Sequence, residues 1–311
     1  MTKNWLFKVL LVGTAAMVQS RNEMTLAEDA SVNGPATVRD ILWVWGNPEM
    51  ASGTDAEQTC ATFAQASPAR RAELLGTPNV LIAGDGIPND QKLAQRRTAS
   101  VKQSKRVVWE IMPDGEDENL KLSQFYQSLE FSQRVKQLHE LKAEFPHLEG
   151  VLLDDMTSVA IDKGFKPEHI RTLKKQLVSS QTPIDIWGVV YTMNFGRAAI
   201  NDYINELDVI NLWVWDARNL VDLEKNVEHC QRHFPTKPAV LGLYLYDYGN
   251  DAGPRRMPLD LLKLQCETAL RLAHERRIAG IVFLTIDNDS EAVQWTADWI
   301  KGVATQRLKD I

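Results

Sequence analysis

The sequence predicts a single (β/α)8 barrel, the TIM-barrel form of the α/β class, from three observations. The 311-residue chain contains eight short runs rich in Val, Ile, Leu and aromatic residues. Amphipathic helical patterns separate these runs, and strict alternation of strands and helices implies a parallel sheet. Trp43 and Phe283 lie seven such steps apart, so each step takes about 34 residues, the length of one strand–helix unit.

The eight candidate strands are mostly continuous apolar runs rather than alternating ones. Strands that are covered on both faces of a parallel sheet have this pattern. The runs are 41–45, 80–83, 106–111, 150–153, 184–191, 209–215, 240–246 and 280–286.

The segments between the strands have apolar residues at helical spacing, for example at Leu223, Val227 and Cys230. Pro167 and Pro258 fit the first turn of a helix, and Ser290 fits an N-cap. A doubly wound open sheet is the alternative fold. No glycine-rich phosphate-binding loop follows any candidate strand, which favours the barrel.

Residues 1–20 predict a signal peptide. Lys3 and Lys8 give a positive start, residues 9–18 form an apolar run, and Val18 and Ser20 suit a cleavage site. The run is too short for a membrane span. We therefore expect a signal peptide (1–20), a linker (21–37), one catalytic barrel (38–311) and export to the periplasm or beyond. An N-terminal helix is the alternative for residues 1–20.

The charge balance and the cysteines indicate which partners and which thiol states to expect. The 35 basic and 41 acidic residues give a net charge of −6 without basic blocks, which argues against a nucleic-acid partner. Cys60, Cys230 and Cys266 form no CxxC motif, so we expect buried free thiols. A Cys230–Cys266 disulfide stays open for an exported protein.

The chemistry of a barrel lies on the loops that follow its strands. In this sequence those positions carry carboxylates interleaved with Trp and Tyr. The residues that we expect to bind substrate are Trp45, Asp85, Glu110, Asn194, Trp215, Asp216, Tyr246, Asp247 and Asp287.

These residue types favour a carbohydrate substrate. None of the six histidines falls after a strand, so we expect no histidine-bound metal and no cofactor. A carboxylate-bound Mg²⁺ or Ca²⁺ stays open. Acidic residues occupy the loops after the seventh and eighth strands, where they would repel a phosphate. Aromatic rings stack on sugar rings, and cleavage of a glycosidic bond requires two carboxyl groups. The sequence does not determine the oligomeric state.

Asp154 and Asp155 directly follow the fourth apolar run. Adjacent strand residues normally point to opposite faces, but at a strand end both side chains can reach the mouth of the barrel. Two neighbouring carboxyl groups do not ionise together easily, so one of them would hold a proton near neutral pH. The structural alternative is that one Asp points into the rim and the other caps the next helix. Glu110 is another candidate for the second catalytic carboxylate.

An apolar run that ends in Asp-Asp after the fourth strand resembles the O-GlcNAcase-type β-N-acetylhexosaminidases. These are retaining barrels that use the acetamido group of the substrate as the nucleophile. The resemblance implies that Asp154 orients and polarises this group and that Asp155 is the general acid and then the base. It also implies that Tyr191 supports the cyclic intermediate. Chitinase-like barrels instead place their acids as DxDxE, a pattern that this sequence lacks.

We therefore predict a glycoside hydrolase, with a non-catalytic glycan-binding or protein-binding barrel as the alternative. A lyase or isomerase with Tyr191 or Tyr246 as its base is a third possibility. Trp213 and Trp215 fit either sugar-stacking platforms or core residues. Of the three alternating tyrosines from 244 to 248, we expect Tyr246 and Tyr248 at the mouth.

Overall fold

The computed structural model describes residues 36–46, 68–84, 86–88, 90–112, 122–157, 161, 163–178, 183–195, 197–249, 253–285 and 290–308. The predicted signal peptide, most of the predicted linker, and Cys60, Asp85 and Asp287 lie outside these residues. Export consequently stays a prediction.

Eight parallel strands close into a barrel in which each strand pairs with the next along the chain, and the last pairs with the first. This architecture confirms the predicted fold, and each predicted run overlaps one strand. The strands are β1 (Leu42–Gly46), β2 (Asn79–Ile82), β3 (Arg106–Glu110), β4 (Leu148–Leu153), β5 (Asp185–Tyr191), β6 (Val209–Trp213), β7 (Ala239–Tyr244) and β8 (Gly280–Leu284).

In the described part of the chain, one helix of eight or more residues follows each strand. The helices are α1 (Pro68–Leu75), α2 (Gln91–Ser100), α3 (Leu129–Glu144), α4 (Pro167–Leu177), α5 (Ala198–Glu206), α6 (Leu223–His233), α7 (Leu259–His274) and α8 (Glu291–Val303). Among the described residues, no helix combines the length and the apolar character that crossing a membrane requires.

Shorter elements lie in the loops and in the segment before β1. They are the 3-10 helices Val38–Ile41, Thr192–Asn194 and Ala217–Asp222, the helical turn Leu122–Phe125, and an antiparallel pair formed by Tyr246–Asp247 and Arg255–Arg256.

Local signals in the sequence set the starts of several helices. The side chains of Asp90, Ser128 and Ser290 each accept a hydrogen bond from a backbone amide in the first turn of α2, α3 and α8. Pro167 is the first residue of α4, as predicted. Pro258 lies at the N-cap of α7, one residue before the first turn in which we expected it.

Aromatic side chains fill the interior of the barrel. The rings of Trp43 and Trp187 meet edge to face with centroids 4.9 Å apart. Nearer the carboxyl ends of the strands, Trp45 and Trp213 meet in the same way at 5.6 Å. Gly242 leaves room for Trp213, because a Cβ at this position would lie 2.0 Å from the indole ring. These indoles close the barrel below its mouth.

Cys230 on α6 and Cys266 on α7 are buried free thiols, as the sequence predicts. Burial raises the pKa of the Cys230 thiol to about 12 and also raises the pKa of Cys266. Both thiols are therefore protonated at physiological pH.

Candidate active site

A pocket of about 190 Å³ lies at the carboxyl ends of the barrel strands. Its described lining combines two carboxyl groups, six aromatic side chains and two aliphatic ones. The lining residues are Trp45, Asp154, Asp155, Val189, Tyr191, Trp213, Trp215, Tyr244, Tyr248 and Leu284. Such a lining offers hydrogen-bond acceptors within a largely aromatic surface.

Asp154 and Asp155 both reach this pocket because the chain turns sharply after β4. The register pairs Leu152 with Trp187, whose ring lies inside the barrel, so Asp154 continues the inward face two residues further on. Asp155 has a φ of 46°, in the left-handed region, and this turn ends the strand alternation. The Asp155 amide donates a hydrogen bond of 2.8 Å to Oδ1 of Asp154. Two consecutive carboxyl groups therefore face one cavity.

The half-buried Asp154 retains its proton more strongly than an ordinary aspartate. Burial is the main cause and the neighbouring Asp155 carboxylate the second, and together they raise the pKa of Asp154 to about 7. The hydrogen bond from the Asp155 amide opposes this increase but is outweighed. One of the two carboxyl groups thus carries a proton near neutral pH.

Tyr191, the last residue of β5, connects the carboxyl pair to the aromatic lining. Its hydroxyl donates a hydrogen bond of 2.7 Å to Oδ1 of Asp155. Burial, followed by the effects of Tyr244 and Asp154, raises the pKa of Tyr191. The Tyr191 hydroxyl consequently stays protonated and remains a hydrogen-bond donor.

Tyr244, the last residue of β7, is hydrogen-bonded to Tyr191. This hydrogen bond lowers the pKa of Tyr244, but burial outweighs it. Burial is the main reason why the pKa of Tyr244 lies well above its usual value, and the charge on Asp154 adds to it. Two neutral tyrosines thus line the pocket beside the carboxyl pair.

Trp215 and Tyr248 form an aromatic wall at the mouth of the pocket. Their ring centroids are 5.2 Å apart, with an angle of 40° between the planes. Trp215 is 37% exposed, whereas Trp213 is 1% exposed and its indole nitrogen donates to Asn211. Of the two roles that the sequence left open for these tryptophans, Trp215 fits the platform and Trp213 fits the core.

Three of the predicted site residues have other partners. Oε2 of Glu110 accepts a hydrogen bond from the Gly84 amide, and Glu110 does not belong to the described lining. Asn194 donates to the carbonyl and the hydroxyl oxygen of Thr157 and is 3% exposed. Glu110 and Asn194 therefore connect neighbouring loops, a role that their residue types alone did not reveal.

The third is Asp216, which caps the 3-10 helix Ala217–Asp222. Its carboxylate accepts from the backbone amide and the guanidinium of Arg218. The hydrogen bond from the Arg218 side chain is the main cause that lowers the pKa of Asp216. This carboxylate is therefore held beside the pocket mouth and outside the described lining.

The predicted positions of Tyr246 and Asp247 need correction. Strand β7 ends at Tyr244, two residues earlier than predicted, and Tyr246–Asp247 instead form the antiparallel pair with Arg255–Arg256. Tyr244 and Tyr248 line the pocket, and Tyr246 does not belong to the described lining. Asp247 is 1% exposed. Although burial raises its pKa, hydrogen bonds from the Ala217 amide and the Arg255 side chain outweigh this effect.

Sequence reasoning gave Tyr244 no role at the mouth and did not select Val189 or Leu284. The residue order along β5, β7 and β8 contains a partial signal for all three. Side chains an even number of residues apart on a strand point to the same face. Each of these three residues has this spacing from a residue of its own strand that the register places inside the barrel. The sequence does not show exactly where each strand ends. The strand end decides how close a side chain lies to the mouth of the barrel.

The histidines lie away from the pocket lining, on helices or in the turn before β4. They are His139, His147, His169, His229, His233 and His274. Within the described part of the chain, no group of three or more His, Cys, Asp or Glu side chains could hold a metal ion.

Comparison with known proteins identifies the fold. No family model matches the sequence, and no curated protein matches it either. The spore cortex-lytic enzyme SleL of Bacillus cereus is 10% identical, with a TM-score of 0.55 over 88% of this chain and 76% of that one. A GH18 chitinase from Cycas revoluta, crystallised with (GlcNAc)4, is 12% identical, with a TM-score of 0.55 over 84% of this chain and 100% of that one.

A GH128 endo-β-1,3-glucanase from Amycolatopsis mediterranei, in complex with laminaritriose, is similar to the same extent. It is 11% identical, with a TM-score of 0.53 over 83% of this chain and 98% of that one. At these identities the similarity shows a shared fold, which is the (β/α)8 barrel.

Proposed function

We propose that this protein is a glycoside hydrolase whose catalytic groups are the carboxyl pair Asp154 and Asp155. The observation that carries the proposal is that both carboxyl groups face one aromatic pocket and that the pKa of Asp154 is about 7. Glycoside hydrolysis needs a proton donor for the leaving oxygen and a negative charge for the cationic transition state. A pair that holds one proton supplies both. The similarity to three carbohydrate-active barrels supports this class.

We propose further that hydrolysis is retaining and assisted by an acetamido group of the substrate. A retaining enzyme with a protein nucleophile places two carboxyl groups about 5–5.5 Å apart across the scissile bond. Here the two carboxyl groups of the described lining belong to consecutive residues, and Glu110 bonds to Gly84 instead. A nucleophile from the substrate fits this arrangement, because the two carboxyl groups come from the same turn after β4. The chitinase among the similar structures binds a substrate with such a group.

The carboxyl pair can divide the work as the sequence resemblance implies. An acetamido N–H beside Asp154 forms a stronger hydrogen bond with a carboxylate than with a neutral carboxyl group. Substrate binding would therefore displace the proton of Asp154 toward Asp155, which then protonates the leaving oxygen. Asp154 polarises the acetamido group as a carboxylate, and Tyr191 keeps the Asp155 carboxyl group oriented through its hydrogen bond.

The test compares the wild-type chain with Asp155→Asn and Asp154→Asn on an aryl β-N-acetylglucosaminide and on the matching β-glucoside. We expect the wild type to cleave the acetamido sugar alone and both variants to lose at least about 100-fold in kcat, the usual range for general acid–base catalysis. Asp298→Asn is the matched control, because it changes an exposed carboxylate that pairs with Lys301 on α8 and lies outside the described lining. It should keep wild-type kcat.

A second comparison separates the roles of the two carboxyl groups. Replacing a general acid harms a substrate with a good leaving group much less than one with a poor leaving group. Asp155→Asn should therefore recover kcat/KM, which reports the first step, on a dinitrophenyl glycoside, and Asp154→Asn should not. The reverse pattern would make Asp154 the acid.

The remaining outcomes decide between classes of protein. Cleavage of both sugars by the wild type would indicate a protein nucleophile. If calorimetry shows sugar binding without cleavage of any glycoside, the protein is a glycan-binding barrel instead of an enzyme.

A further inference from the structure

Asp247 directly precedes Tyr248, which forms the aromatic wall together with Trp215. The Asp247 side chain is 1% exposed and does not belong to the described lining of the pocket. A buried carboxylate is costly unless charged or polar groups compensate it. Its partners therefore indicate its role.

Those partners come from both loops that carry the wall. The Asp247 carboxylate accepts hydrogen bonds of 3.1 Å from the amides of Ala217 and Gly249. The Arg255 side chain donates to it through Nε at 2.8 Å and makes an ion pair with it at 2.7 Å. Ala217 lies two residues after Trp215, and Gly249 directly follows Tyr248.

The wall lies beyond the ends of its strands, since β6 ends at Trp213 and β7 at Tyr244. The parallel ladder of the barrel therefore does not fix the backbone at Trp215 and Tyr248. The loops touch directly as well, because a Cβ at Gly249 would lie 2.6 Å from Asp216. The Asp247 carboxylate thus takes the place of ladder hydrogen bonds at the mouth.

We propose that Asp247 is a positioning residue that fixes Trp215 relative to Tyr248 and thereby sets the affinity of the pocket for its sugar. This inference rests on the proposed function, because it assumes that the wall contacts the sugar. It replaces the expectation from the sequence that Asp247 itself binds substrate hydroxyls.

The first test is Asp247→Asn. An Asn of the same size keeps an oxygen for the Ala217 and Gly249 amides, while its NH2 group faces the Arg255 guanidinium and the ion pair is lost. We expect KM to rise about tenfold with kcat within about twofold of the wild type, which is the signature of lost ground-state binding. Asp298→Asn, the same change at an exposed carboxylate of α8 that pairs with Lys301, should leave KM unchanged. A loss of kcat without a change in KM would overturn the inference.

A double-mutant cycle with Trp215→Ala shows whether Asp247 acts through the wall. If it does, Asp247→Asn adds less than about twofold to KM once the Trp215 ring is gone, because coupled residues are not additive. Full additivity would contradict the positioning role. Arg255→Ala breaks the same ion pair from its exposed side and should also raise KM. It replaces Asp247→Asn in the cycle if that variant does not fold.

The outcome for the wild type separates this inference from the proposed function. A wild type that neither cleaves the aryl glycosides nor binds (GlcNAc)4 or laminaritriose in calorimetry refutes the proposed function, and the inference with it. A wild type that cleaves or binds sugar, with unchanged affinity in Asp247→Asn and Arg255→Ala, refutes the positioning role alone.

Discussion

Replacing Asp154 by Asn should stabilise the protein at neutral and alkaline pH. In the folded state the pKa of Asp154 is about 7, against an ordinary value of 3.8. The folded protein therefore binds a proton more strongly than the unfolded chain, and wild-type stability falls as the pH rises from about 4 to 7. A difference of about 3 pKa units corresponds to about 4 kcal/mol. Since the side chain is only half-buried, we expect Asp154→Asn to raise the free energy of unfolding by about 2–4 kcal/mol at pH 8.

The assay is thermal unfolding of wild type and Asp154→Asn at pH 4 and pH 8, followed by circular dichroism. At pH 4 the two melting temperatures should be close. At pH 8 the variant should melt about 4–8 °C higher, because 1 kcal/mol corresponds to about 2 °C in a domain of this size. Asp216→Asn should show no such gain, since its interaction with Arg218 lowers the pKa of Asp216. An Asp154→Asn variant with the same melting difference at both pH values would refute the reasoning.

Three further predictions test other contacts. Tyr191→Phe removes the hydrogen bond to Asp155 and should lower kcat about 10- to 100-fold in glycoside assays, with an unchanged circular dichroism spectrum as the control for folding. Gly242→Ala places a Cβ against the Trp213 ring and should lower the free energy of unfolding in urea by about 1–3 kcal/mol. Gly302→Ala in α8, where the new Cβ meets no atom, should not be destabilising. Asp185→Asn should stabilise the protein at pH 8 more than at pH 5, by about 1 kcal/mol in the same urea assay, because one pKa unit separates pH 5 from the folded-state pKa. Burial, followed by the charges on Asp208 and Glu149, raises the pKa of Asp185 to about 6. Equal stabilisation by Asp185→Asn at both pH values would contradict this prediction.

The fold could be predicted because its signals are local and repeat eight times. Each barrel strand is buried on both faces and therefore reads as an apolar run, and each following helix has its own apolar stripe. Missing the end of a strand by two residues leaves the order of elements unchanged, as β7 shows. The barrel was thus predictable although the sequence matches no family model.

The site was less predictable because it depends on strand ends and on backbone partners. Asp154 and Asp155 stood out because two acids directly follow an apolar strand, and Tyr191 because it ends one. Tyr244 and Tyr246 look equivalent in the sequence, yet only the position at which β7 ends decides which of them lines the pocket. The polar partners of Asp247 are mostly backbone amides, which carry no signature in the sequence.

The left-handed backbone at Asp155 also restricts which residues can replace it during evolution or in the laboratory. Side chains other than Asn, Asp and Gly lose about 1–2 kcal/mol in this conformation. A Glu or Ala at position 155 would therefore combine altered chemistry with a strained turn, whereas Asn removes the charge and retains the fold. If the protein has the proposed hydrolase activity, a descendant that kept the barrel but lost this activity would most easily carry Asn or Gly here. The residue at this one position would then distinguish enzymes from their inactive relatives.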